Sequence, residues 1–128
     1  DIADGWSVFG NYTYADAVSA NGGVDTRLVR VPRHDFTVGV EADFANGWGG
    51  VFTLQHVADF QDNAIGVYPV VGTPMPDYTV ANLSVSYDIN VDTQVYMRVE
   101  NIFDEDYETI RNYAQPGRSV YLGVQAKF

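Results

Sequence analysis

The 128-residue chain contains no cysteine, so neither a disulfide scaffold nor a thiolate metal site can be built from it. That absence suits an exported protein that avoids stray thiols and a reduced cytosolic protein alike, and it leaves the compartment open. Basic residues are scarce: 7 Lys and Arg face 17 Asp and Glu, Lys127 is the only lysine, and the formal net charge is −10. Such a surface repels phosphates, which argues against DNA or RNA as a partner. No apolar run approaches the ~20 residues of a membrane-spanning helix. The chain does not open on a basic segment followed by an apolar one, as a signal peptide would. Helical spacing at i, i+3, i+4 and i+7 is sustained nowhere. No glycine loop leads from a strand into a helix and no Ser-His-Asp arrangement stands out, so catalysis has no support.

What is present is extended structure. Hydrophobic residues make up 46% of the chain and aromatic residues 14%, too apolar for disorder and enough for one ordinary domain or one piece of a larger one. The last eleven residues, from Arg118 to Phe128, alternate strictly: Val120, Leu122, Val124, Ala126 and Phe128 share one face, and Ser119, Tyr121, Gly123, Gln125 and Lys127 the other. A strand of ~9–11 residues crosses a bilayer when tilted in a barrel, although a half-buried soluble strand alternates in the same way. Five more segments read as strands: 5–17, 33–45, 50–61, 77–88 and 93–101. The cleanest sets His34, Phe36, Val38, Val40, Ala42 and Phe44 against Asp35, Thr37, Gly39, Glu41 and Asp43. In the first strand Phe9 interrupts the polar side, and in 50–61 both faces are blurred.

The connections alternate in length. Asn46-Gly-Trp-Gly49 and Ile89-Asn-Val-Asp92 are tight turns, whereas 18–32, 62–76 and 102–117 are long and rich in carboxylates, Gly, Pro and Asn. Short turns on one edge and long loops on the other are the asymmetry of outer-membrane barrels. Outward aromatics gather at both ends: Trp6, Phe44, Trp48, Phe52, Tyr87 and Phe128 by the short turns, and Tyr12, Tyr14, Phe36 and Phe60 toward the long loops. His56 falls on the outward face in this register, and a bulge that turns it inward is expected. Because the smallest membrane barrels have about 8 strands, six strands must belong to something larger. A start at Asp1, in mid-pattern and without methionine, agrees with a fragment or a processed product.

The stretch Val99-Glu-Asn-Ile-Phe-Asp-Glu-Asp-Tyr-Glu108, followed by Pro116-Gly-Arg118 and a last strand ending in Phe128, resembles the C-terminal end of TonB-dependent outer-membrane receptors. Val31-Pro-Arg-His34, Gly5-Trp6 and Tyr12-Thr-Tyr14 also look like late-barrel strands of that family, so the resemblance spans essentially the whole chain. It implies an all-β fold, an antiparallel transmembrane barrel of about 22 strands with a plugged lumen, of which residues 1–128 supply the last six. It further implies import of scarce nutrients such as iron-siderophores, haem, cobalamin or oligosaccharides across a Gram-negative outer membrane. The implied partners are outer-membrane lipid, a small-molecule ligand such as a siderophore, and the TonB complex, reached through an N-terminal part with no counterpart in this chain. Val120, Leu122, Val124, Ala126 and Phe128 match the family's recognition signal for the barrel-assembly machinery.

Candidate sites are few. Tyr107, Arg111 and Tyr113 in the last long loop suit contacts with an anionic or aromatic ligand; a purely structural role for Tyr107 and for Arg118 carries more weight. The acidic run Asp104-Glu-Asp-Tyr-Glu108 lacks the spacing and glycine of a calcium loop and reads as a solvated loop. His34 and His56 make no credible metal pair, and no cofactor is expected. Arg98 and Glu100 are expected to pair with charges on neighbouring strands or on a plug. Two other readings stay open at this point: another outer-membrane barrel, porin or enzyme, and a soluble β-sandwich whose core is the outward aromatic rows.

Overall fold

Valine, threonine, phenylalanine and tyrosine in strict alternation suit a pleated sheet that shows different surroundings to its two faces. The computed structural model, which describes residues 4–21, 23–63 and 72–127, contains the strands β1 (Trp6–Tyr14), β2 (Val18–Asn21), β3 (Val24–Arg27), β4 (His34–Asp43), β5 (Trp48–Ala58), β6 (Gln61–Asn63), β7 (Gly72–Pro74), β8 (Tyr78–Asn90), β9 (Thr93–Glu100), β10 (Glu108–Ile110), β11 (Tyr113–Ala114) and β12 (Ser119–Ala126). Six of them form one antiparallel sheet in the order β1-β4-β5-β8-β9-β12, an up-and-down meander. The six expected strands are thus present, and the sheet does not close. Each long connection carries a short hairpin that its polar composition concealed: β2–β3, β6–β7 and β10–β11. Trp48 begins β5 rather than lying in the turn, which Gly47 closes at φ 86°. Phe128 lies outside the described residues, so only Val120, Leu122, Val124 and Ala126 of the terminal alternation are placed, all on β12.

Register assigns the faces. Gly10, Val38, Leu54 and Ala81 lie directly across from one another, as do Val8, Val40, Phe52, Leu83, Val99 and Val120. The outward surface is therefore apolar along these rows, and much of it is bare: Leu122 is 79% exposed and Val124 69%. An apolar patch this extended marks a surface made for lipid or a partner. The opposite face carries Asn11, Thr37 and Gln55 in one row and Ser7, Glu41, Val51, Ser84, Arg98 and Tyr121 in another. Arg98 pairs with Glu100 two residues along its own strand, at 3.1 Å, and lies over the Tyr121 ring.

Two expectations about β5 need correction. No bulge turns His56 inward: the ladders to β4 and β8 run unbroken through it, and it stays exposed on the outward face, sharing a 2.9 Å hydrogen bond with Thr79 Oγ1. It stands two residues from the end of the strand, near the loop edge, where polar atoms are cheap to keep. The alternation breaks instead at Asp59, whose φ of 53° rotates the next residue. Phe60 consequently leaves the outward aromatic row. It is 3% exposed and packs with Val57, Met75 and Tyr78, a small core set at the loop edge.

The aromatic that interrupts the polar face of β1 has a local partner. Phe9 lies directly across from Gly39, and a Cβ built there would overlap the Phe9 ring; Tyr96 covers Gly123 in the same manner. Each ring occupies the space a side chain would have filled. Gly39→Ala is expected to cost about 1–2 kcal/mol, and most of that cost should vanish in a Phe9→Ala background. A double-mutant cycle on the folded barrel should return a coupling of about 1 kcal/mol; additive effects would show that the ring and the glycine are independent.

Candidate functional site at the loop edge

The third long loop is held by its polar side chains. Asn101, buried and at φ 52°, ends β9; its side-chain amide donates to Glu105 O at 2.9 Å and Pro116 O at 3.2 Å, and its Oδ1 accepts the Glu105 N–H at 2.9 Å. Asp104, at φ 57°, accepts the Arg118 backbone N–H at 2.7 Å and lies 3.5 Å from its guanidinium. The Arg118 backbone N–H bond is the main reason the Asp104 carboxyl lies below its ordinary range, with the guanidinium adding to it. Arg118 therefore fixes the base of the loop. Beyond this clasp Tyr107 packs against Tyr78 at 4.5 Å between ring centroids, and the β10–β11 hairpin turns at Asn112, whose N–H meets Glu108 Oε2 at 2.8 Å.

A cavity of about 640 Å³ opens between the segment 74–77 and the β10–β11 hairpin. Tyr107 and Arg111 both line it, together with Met75, Asp77, Asp106 and Glu108. A second hollow of about 390 Å³ lies on the polar face by Gln55, Asn82 and Gln115, and Tyr107 forms part of its wall too. Of the three loop residues singled out from sequence, the fold brings Tyr107 and Arg111 together, while Tyr113 points away at 69% exposure. The cavity wall combines an aromatic face and a thioether with three carboxylates and one guanidinium. Hydrogen-bond donors and flat or aromatic groups suit it better than a simple anion. Among the described residues no cluster of three or more His, Asp or Glu is arranged to hold a metal ion.

What sequence reading missed is the charged lattice behind the cavity. Asp59 accepts Arg27 at 2.7 Å and Arg33 at 2.9 Å, and its backbone oxygen accepts a second Arg27 bond. Asp62, 1% exposed, accepts Arg30 Nε at 2.9 Å, the Arg111 backbone N–H at 2.8 Å and the Asn63 N–H at 2.7 Å. A legible trace existed: arginines at 27, 30 and 33 and aspartates at 59 and 62 share one spacing of three. Burial alone would raise the Asp62 carboxyl, but the N–H donors of Arg111, Arg30 and Asn63 outweigh it and leave the group below its ordinary range. A carboxylate so depressed contributes stability that is present above its unfolded value, ~3.9, and is lost as pH falls through the folded value. Protection of the Arg111 and Asn63 amides against hydrogen exchange, corrected for intrinsic rate, should therefore persist from pH 7 to about 4 and disappear only in stronger acid. Loss already near pH 6 would contradict this assignment.

A meander of spanning-length strands, apolar outside and polar inside, with short turns on one edge and folded loops on the other, has close relatives among known proteins. Residues 1–102 match the family model described as TonB dependent receptor-like, beta-barrel. The chain belongs to the TonB-dependent receptor family. Over 74 residues, 58% of this chain, it is 30% identical to the vitamin B12 transporter BtuB of Vibrio cholerae and covers 12% of that protein. The whole chain superposes on the ferric-catecholate import receptor Fiu from E. coli K12 with a TM-score of 0.76 at 24% identity, covering 19% of it. It superposes likewise on the siderophore receptor PiuA from Acinetobacter baumannii with a TM-score of 0.70 at 22% identity, covering 20%. The chain thus spans roughly an eighth to a fifth of these relatives. The family resides in the Gram-negative outer membrane.

Proposed function

We propose that residues 1–128 form the last six strands of the barrel of an outer-membrane active importer, which uses TonB to take up a scarce nutrient: siderophore-bound iron, haem, cobalamin or a compound of that kind. Family membership is the observation that carries this reading, and the functions of BtuB, Fiu and PiuA suggest the ligand classes. Tyr107 and Arg111 on the cavity wall are the residues of this segment best set to touch a ligand entering from the loop edge, and Tyr113 is free to do so from the rim. The TonB complex would act through an N-terminal part beyond this segment. Outer-membrane lipid would cover the apolar face, and the barrel-assembly machinery would engage Val120, Leu122, Val124, Ala126 and Phe128. The chain is a transporter component rather than an enzyme.

The test is uptake by whole cells that carry the full-length receptor, using labelled ferric siderophores, haem and cyanocobalamin, in strains with and without TonB. Saturable uptake of one class that disappears without TonB is the expected result. Uptake that survives loss of TonB and rises linearly with concentration would make the protein a passive pore and overturn the proposal.

A further inference from the structure

The three long loops do not stand as separate arms. Loop 2, in its described residues 59–63 and 72–77, lies between the other two and is tied to each. Toward loop 1 (residues 15–33), the Arg30 N–H donates to Gln61 O at 2.7 Å, Gln61 Nε2 donates to Arg27 O at 3.1 Å, and Arg27 and Arg33 converge on Asp59. Toward loop 3 (residues 101–118), Asp62 takes the Arg111 N–H, and the Arg111 guanidinium reaches Pro74 O at 3.3 Å. A single buried carboxylate is common to both sets: Asp62 spends one oxygen on Arg30 and Asn63 and the other on Arg111.

Backbone conformation supplies an independent sign. Arg30 sits at φ 61° and Asn112, beside Arg111, at φ 65°. A residue such as arginine holds such an angle only where surrounding contacts impose it, whereas asparagine tolerates it in a turn; Asp62 bonds Arg30 itself and the neighbour of Asn112. Loop 1 is thus held in unfavourable local geometry at the point where it meets the carboxylate. A buried carboxylate whose oxygens both receive charge-assisted or backbone N–H bonds is hard to release one partner at a time, because each released N–H leaves part of the charge uncompensated.

We propose that Asp62 is a positioning residue that clamps the three loops into one body, so that the cavity beside Tyr107 and Arg111 changes shape only when all three loops shift together. The consequence for transport rests on reading that cavity as the place a ligand touches; the clamp itself does not. Opening one loop strains the others through Arg30 on one side and Arg111 on the other. A ligand that draws the β10–β11 hairpin inward would then also order residues 27–33, which do not line the cavity.

Hydrogen exchange on the full-length receptor in detergent tests this without any ligand. Asp62→Ala should speed exchange at least tenfold in residues 27–33, 59–63 and 108–115 together, while β5, β8 and β9 keep wild-type rates. Arg30→Gln, which cuts only the loop 1 limb, should loosen 108–115 as well as 27–33. Lowering the pH should release the three segments in one step in the wild type, since the carboxylate faces the Arg30 guanidinium and the Arg111 and Asn63 backbone N–H groups, with the Asp59, Arg27 and Arg33 cluster on the same loops. Asp62→Asn, which has no proton to gain, should show no such step. Loosening confined to 59–63, or Arg30→Gln acting on loop 1 alone, would overturn the clamp. If the segments loosen together but uptake proves independent of TonB, the clamp stands and the transport reading falls; TonB-dependent uptake with independent loops gives the reverse.

Discussion

Asn101→Ala is expected to destabilise the base of the third loop by about 3–5 kcal/mol. The side chain is 3% exposed and serves Glu105 N–H, Glu105 O and Pro116 O from one amide. Each bond is worth about 1 kcal/mol net, and a buried partner left unmade costs about 1–3 kcal/mol more. Alanine must also adopt the left-handed angle that asparagine tolerates, at about 1 kcal/mol. Asn101→Gly separates these contributions: it removes the amide but not the conformational freedom, and should recover only that last part. The measurement is local hydrogen exchange of residues 101–107 and 118 in the folded receptor, read as opening free energy. An effect of Asn101→Ala below about 1 kcal/mol would mean that the loop is held elsewhere, with Asp104 and Arg118 the first place to look.

That asparagine also shows what the sequence made legible and what it did not. The Asn-Ile-Phe-Asp and Pro-Gly-Arg stretches marked the family correctly, and the structure shows what holds them: Asn101 bonds the backbone of Glu105 and Pro116, Asp104 takes the Arg118 N–H and guanidinium, and together they close the loop. Strand positions were readable because alternation has a period of two and the segments at 33–45 and 118–128 obey it strictly, with the others departing from it at few positions. Phe60 was misplaced because a single left-handed residue, Asp59, resets that alternation, and nothing in the local pattern announces a positive φ at an aspartate; His56 kept the outward face of its register, and the bulge expected there was unnecessary because it lies near the loop edge with Thr79 as its partner. The hairpins inside the long loops were invisible for a different reason. The strands of β2–β3, β6–β7 and β10–β11 are two to four residues long and mostly polar, too short for an apolar alternation to show. The charged lattice was missed because it is long-range, Arg30 meeting Asp62 and Asp62 meeting Arg111 across more than thirty and nearly fifty residues. Only the recurrent spacing of three hinted that two segments were made for each other.

Leu83→Arg is expected to cost about 2–4 kcal/mol in the membrane-embedded receptor, and the way this cost varies with depth distinguishes lipid from an ordinary protein core. Leu83 is paired with Phe52 on one side and Val99 on the other, on the outward face of β8. Thr79 lies four residues away toward the loops, and Tyr87, which packs with Trp48 at 4.8 Å, four residues away toward the short turns. At ~3.3 Å per residue and a tilt near 45°, four residues climb roughly 9 Å, so Leu83 sits near the middle of an apolar band about 25 Å tall. Tyr87→Arg, at the rim, should therefore cost no more than about 1 kcal/mol, because the guanidinium reaches the headgroups. Ser84→Arg, one residue along but on the polar face, should be tolerated in the same range despite Arg98 directly across from it. Folding of the receptor into lipid vesicles, followed by the gel shift between folded and unfolded barrel, reads all three. Water-excluding protein packing would penalise arginine by burial alone and would show no gradient from Tyr87 to Leu83. A bilayer penalises it by depth, and thicker lipid should widen the gap between the two positions while leaving Ser84→Arg unchanged. Equal costs at Leu83 and Tyr87 in every lipid would remove the physical basis for calling this face the membrane surface.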